Sequence, residues 1–100
     1  TQVTVKAAID RVKKALLDQY ILKDMQGNSF EIEGRYVYEY ETLVEIPNLG
    51  YYYKLSEFIV DSAGKRTQTG RLYAVEVYSG TPNRLVYDEN GQMGIIPLNK

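Results

Sequence analysis

One hundred residues with a hydrophobic fraction of 44% and a charged fraction of 25% are enough for one folded domain. The formal net charge of −1 argues against a general nucleic-acid binder, which needs a basic stripe to neutralise phosphates. Cysteine and histidine are both absent. That excludes disulfides, thiolate metal sites, thiol nucleophiles and histidine-based triads or general bases.

The first segment reads as a helix from about Val5 to about Lys23. Val5, Ile9, Val12, Leu16 and Tyr20 recur at steps of three and four, with Ala8 and Ala15 beside them, so one apolar stripe faces a core. Thr4 is the expected N-cap, and Asp10 and Lys14 stand in the favourable acid-first spacing. Gly27-Asn28 is the expected stop. Ile9, Val12 and Leu16 are expected to be buried against Ile32, Tyr36 or Tyr38, and Val75 or Val77.

Strand and turn signals fill the rest. From Phe30 to Ile46 residues alternate with period two, placing Tyr36, Tyr38, Tyr40, Val44 and Ile46 in one phase and the glutamates in the other. Such a run would span roughly 56 Å if straight, too long for a domain with a radius of gyration near ~13 Å. A break is therefore expected at Gly34 or at Glu41–Thr42. Pro47–Gly50 reads as a turn and Tyr51–Val60 as a strand. Asp61–Gly64 is a hairpin loop, and Thr67–Tyr78 a strand disturbed at Gly70. Leu85–Tyr87 and Gln92–Ile96 flank a turn at Asn90-Gly91. Residues 1–100 thus form a single α+β domain, with one N-terminal helix packed on a curved antiparallel sheet of four or five strands.

Two features carry functional weight. Glu31, Glu33, Glu39, Glu41 and Glu45 share one face if the alternation holds. Clustered carboxylates suit a hard cation, a basic partner or acid–base chemistry, but a flat strand lacks the closely spaced loop ligands that calcium needs. The simpler reading is a solvated face paired with Lys54, Lys65, Arg66, Arg71 and Arg84. Tyrosine is the second feature, with 10 residues against 2 phenylalanines. Tyr51, Tyr52 and Tyr53 are consecutive, so at least one must face away from the other two. Tyrosine is a good strand former and is also enriched at contact surfaces. The expected partner-binding surface is Tyr51, Tyr52 and Tyr53, rimmed by Glu39 and Glu41. No catalytic, metal or cofactor residues are assigned. Lys13-Lys14 and Lys65-Arg66 read as solvated charge and Asp88–Gly91 as a turn, and no phosphate-binding glycine motif is present.

Arg71–Gly80 followed by Arg84–Gly91 is a strand–turn–strand–turn that resembles the ending of small exported bacterial domains of cystatin-like or PepSY-like type. Ser79-Gly80 stands where Thr-Gly is commoner in those domains. The cystatin loop pattern Gln-x-Val-x-Gly is missing, with only Gln68-Thr69-Gly70 in its place, so protease inhibition transfers to no residue. The resemblance implies an extracellular or cell-envelope protein, with any leader or lipid anchor upstream of Thr1. It implies a binding role, and with histidine and cysteine absent the leading reading is a non-catalytic module that binds a protein, peptide or glycan. A small inhibitor or immunity-type protein, or a structural component of a larger assembly, is the competing reading. No apolar run is long enough for a membrane span in this segment.

Overall fold

The computed structural model describes residues 1–18 and 35–98. Helix α1 (Val5–Asp18) is followed by strands β1 (Tyr36–Ile46), β2 (Gly50–Val60), β3 (Arg66–Glu76), β4 (Pro82–Tyr87) and β5 (Met93–Pro97). Each strand pairs antiparallel with the next, giving one five-stranded sheet in the order β1-β2-β3-β4-β5. The α+β layout with a single leading helix is as expected. Among the described residues no helix is long and apolar enough to cross a membrane.

Thr4 caps α1: its hydroxyl oxygen accepts the amide proton of Ala7 at 3.0 Å. The surface pairs on the helix are Lys6–Asp10 and Lys14–Asp18 rather than Asp10–Lys14. Helix continuation from residue 19 to Lys23, and the stop at Gly27-Asn28, lie outside the described residues. The apolar stripe packs as its spacing predicts. Ala8, Val12, Ala15 and Leu16 join Tyr38, Leu55, Tyr73, Val75 and Leu98 in the main core, with Ile9 and Tyr36 partly buried against it. Val77 is buried as well, and Ile32 lies outside the described residues. Leu16 is fully buried, so Leu16→Ala is expected to cost about 2–5 kcal/mol of unfolding free energy through lost transfer energy and a cavity. Urea denaturation checks this. A loss under about 1 kcal/mol would show that α1 does not seat on the sheet through this side chain.

The long β1 run is broken where one of the two candidate breaks was expected. Tyr40 pairs with Leu55 and Thr42 with Lys54, so Glu41 is an extra residue bulged out of the ladder. A single inserted residue reverses which face the following side chains take. Before the bulge, Tyr36, Tyr38 and Tyr40 face the helix. After it, Leu43 and Glu45 take that side, and Val44 and Ile46 turn to the opposite face. The break at Glu41–Thr42 therefore means that the single phase read for Tyr36, Tyr38, Tyr40, Val44 and Ile46 holds only as far as the bulge, while the other candidate break, Gly34, lies outside the described residues.

The same reversal creates a second apolar cluster on the face away from α1. Ile46, Tyr52, Ala74 and Leu85 are buried there, with Val44, Leu72, Met93 and Ile95 packed around them. A second irregularity lies between β2 and β3, where Ser56 pairs with Leu72 and Phe58 with Gln68. Gly70 sits in the longer segment with φ +90°, a left-handed conformation that glycine adopts without penalty. The β3–β4 turn is held to the helix by Arg11, whose guanidinium donates to the Gly80 carbonyl at 3.3 Å. A Cβ at Gly80 would stand 2.8 Å from that guanidinium nitrogen, so any side chain there would displace Arg11 from this contact.

Candidate functional site

The β1–β2 hairpin is closed by Pro47-Asn48. The Leu49 amide donates to the Ile46 carbonyl at 3.0 Å, and Asn48 holds a φ of 66°. Proline followed by a left-handed residue is the pattern of a type II turn. The register set by this turn decides where the three consecutive tyrosines point. Tyr51 opposes Glu45 and Tyr53 opposes Leu43 on the helix side, whereas Tyr52 opposes Val44 on the other face.

The three rings consequently have different surroundings. Tyr52 is 5% exposed within the second apolar cluster. Burial, followed by the nearby Glu76 charge, raises its phenol above the ordinary value. Tyr53 is half-buried, and its hydroxyl donates to the Val3 carbonyl at 2.8 Å, pinning the segment that leads into α1. Tyr51 stays exposed at 48%. Beside it, on the same side of the hairpin, lie Tyr40 at 43% and Leu43 at 45%, with Leu49 at 54% in the turn. The Tyr40 and Tyr53 rings meet edge to face at 5.6 Å between centroids, so Tyr40 is oriented as well as exposed. These side chains lie outside the cluster that α1 covers. Tyr40, Leu43 and Tyr51 thus form an exposed, largely apolar strip along the helix side of the hairpin, bordered by Glu45, with Leu49 in the turn at its end.

The expected rim of this surface lies elsewhere. Glu39, which pairs with Ser56, and the bulged Glu41 sit on the face opposite Tyr51 and Tyr53, because the phase of β1 reverses at the bulge. Each is paired there: Arg66 with Glu39 at 2.6 Å and Lys54 with Glu41 at 3.2 Å. The Ser56 hydroxyl also donates to Glu41. Burial pulls the Lys54 ammonium down, but Glu41 and Tyr87 outweigh it and hold the group above its ordinary value. The acid that does border the strip is Glu45. Glu31 and Glu33 lie outside the described residues. Among the described residues no group of three or more acidic side chains is placed to hold a metal ion.

A second constellation was not singled out from the sequence. Glu57 is fully buried on the helix side of β2. Its carboxylate accepts from the Tyr38 hydroxyl at 2.6 Å, the Thr69 hydroxyl at 2.8 Å and Arg71 Nε at 2.6 Å. The Arg71 guanidinium also lies 5.9 Å from the centre of the Tyr36 ring. Tyr73 packs edge to face on Tyr38 at 5.8 Å, and its hydroxyl has no hydrogen-bond partner among the described residues. A carboxylate with three donors and no exposure is a structural anchor with little left to offer a substrate. The signal was present in the period-two phase of β2: Tyr53, Leu55, Glu57 and Ile59 fall on one side, so Glu57 is an acid in the inward series.

No protein-family model, curated protein or solved structure matches this chain.

Proposed function

We propose that this chain is a non-catalytic binding module whose contact surface is the exposed strip on the helix side of the β1–β2 hairpin. The supporting observation is that Tyr40, Leu43 and Tyr51 on the helix side of the hairpin, and Leu49 in its turn, are all more than two-fifths exposed. Single exposed apolar residues are ordinary, but a contiguous group built on paired strands is commoner at contact sites than on inert surface. The strip also has a rigid base, because Tyr53 ties it to Val3 and the type II turn sets its register. Rigid aromatic side chains lose little entropy on binding. The cystatin-like or PepSY-like resemblance and an exported, cell-envelope setting belong to the same proposal. Fractionation of the producing cells decides the setting: recovery of the chain with the cytosol would remove it.

The test of the surface is partner recovery by crosslinking, followed by affinity measurements on the recovered partner. Tyr51→Ala and Leu43→Ser are expected to weaken binding about tenfold or more, the scale of a central aromatic or aliphatic contact. Glu39→Ala, on the opposite face, is expected to change it by less than about twofold. If both hairpin variants stay folded and bind like the parent, the strip is not the contact surface.

A further inference from the structure

We infer that the partner is an extended, basic segment of polypeptide that adds as a strand to the outer edge of β1 along Thr42–Ile46. This rests on the reading of the hairpin strip as a contact surface, and it names the class of ligand. β1 and β5 are the two ends of the sheet. β5 is five residues long and ends in Pro97, a short edge of the kind that resists pairing. β1 is eleven residues long with no proline and no lysine. Among the described residues no strand pairs with its outer side. The bulge at Glu41 divides that edge and leaves Thr42–Ile46 as an unbroken stretch beside the strip. Main-chain hydrogen bonds along such an edge supply affinity, and alternate side chains supply specificity.

The charge distribution chooses the occupant. β1 carries Glu39, Glu41 and Glu45 and no cation. Arg66 and Lys54 reach across from inner strands to the first two. Glu45 is exposed and has no ion-pair partner among the described residues. An incoming strand therefore meets an apolar side chain at Leu43 and an unneutralised carboxylate at Glu45, both on the strip side of the sheet. Opposite charges across a ladder are favourable and like charges are not. A second copy of this chain would bring another Glu45 and no cation of its own β1 to the same edge, so it leaves this carboxylate unanswered. A segment with a lysine or arginine two residues from an apolar residue satisfies both positions.

The experiment uses the isotope-labelled chain and three capped seven-residue peptides. The first is Thr-Lys-Thr-Val-Thr-Lys-Thr, which places a valine opposite Leu43 and a lysine opposite Glu45 in either strand direction. The second replaces both lysines by glutamate, and the third replaces the two inner threonines by proline. The lysine peptide is expected to shift the amide resonances of Thr42–Ile46 and slow their hydrogen exchange. The other two are expected to bind about tenfold more weakly or worse, and added salt should weaken the lysine peptide several-fold. In Glu45→Lys the order should invert, with the glutamate peptide binding better than the lysine peptide. Equal binding of all three peptides, no binding of any, or shifts at β5 instead of β1 would overturn the inference. Concentration-dependent shifts at β1 without peptide would also overturn it, in favour of a second copy. Shifts confined to the Tyr40 and Tyr51 rings, with unmoved β1 amides, would overturn strand addition while leaving the contact strip standing.

Discussion

Arg71→Leu is expected to destabilise the fold by about 3–5 kcal/mol, the cost of leaving a buried charge without its counter-ion. The Glu57 carboxylate is wholly removed from solvent, and Arg71 Nε lies 2.6 Å from it. Tyr38 and Thr69 would still donate to the carboxylate, but neither carries a charge. The asymmetry of the pair makes the prediction specific. Arg71 is one-third exposed, so the guanidinium can turn to water when its partner is removed, whereas Glu57 cannot. Glu57→Gln keeps an acceptor for the Tyr38 and Thr69 hydroxyls and should therefore cost less, about 1–3 kcal/mol. Urea unfolding at neutral pH, with the m-value checked for each variant, measures both. If Arg71→Leu costs no more than Glu57→Gln, the carboxylate does not depend on the guanidinium and the cluster works differently from this account.

Stability is expected to collapse between pH 10 and pH 12. Burial first, and then the Glu57 charge, push the Tyr73 phenol up to about 12. Burial together with the hydrogen bond to Glu57 raises Tyr38 well above its ordinary value. A phenol is neutral when protonated, so the folded chain keeps protons that the unfolded chain releases near pH 10. The stability tied to these groups is complete below pH 10 and is lost as pH rises through the folded values. Each such tyrosine contributes about 1.4 kcal/mol per pH unit in that window. The two together remove roughly 5 kcal/mol by pH 12, comparable to the whole stability of a small domain. Tyr52 and Lys54, both raised, act in the same direction. Thermal melts from pH 8 to pH 12, with tyrosinate absorbance followed in parallel, should show unfolding and tyrosine ionisation together. Tyr38→Phe should be less stable at pH 7, since Glu57 loses a donor, yet lose less stability per pH unit above pH 10. A flat profile up to pH 11.5, or an unchanged slope in Tyr38→Phe, would show that these phenols are not held protonated by the fold.

Much of the architecture is legible in the amino-acid sequence, because it follows from local chemistry. The helix was readable from the spacing of Ile9, Val12 and Leu16, and its start from Thr4 three residues before the Ala7 amide it accepts from. The turns follow from Pro47-Asn48, Asp61–Gly64 and Asn90-Gly91, whose backbone preferences exist in a peptide as they do in a protein. The need for a break in the run, at Gly34 or at Glu41–Thr42, came from its length, and the ladder shows one at Glu41. What local chemistry cannot state is which face a side chain takes once an extra residue enters a ladder. That depends on pairing with β2, and the pairing depends on the turn at Pro47–Leu49 and on what the helix covers. Only the tertiary structure therefore decided that Tyr52 is buried while Tyr51 is exposed, and that Glu39 and Glu41 lie opposite the strip they were expected to border. The phase of β2 already places Glu57 in the inward series, but only the tertiary structure supplies the groups that hold it there. Its three donors, Tyr38, Thr69 and Arg71, come from positions 12 to 19 residues away and meet it only because three strands pair in register. Period two tells a strand that it has two sides. The sheet decides which of them becomes a surface.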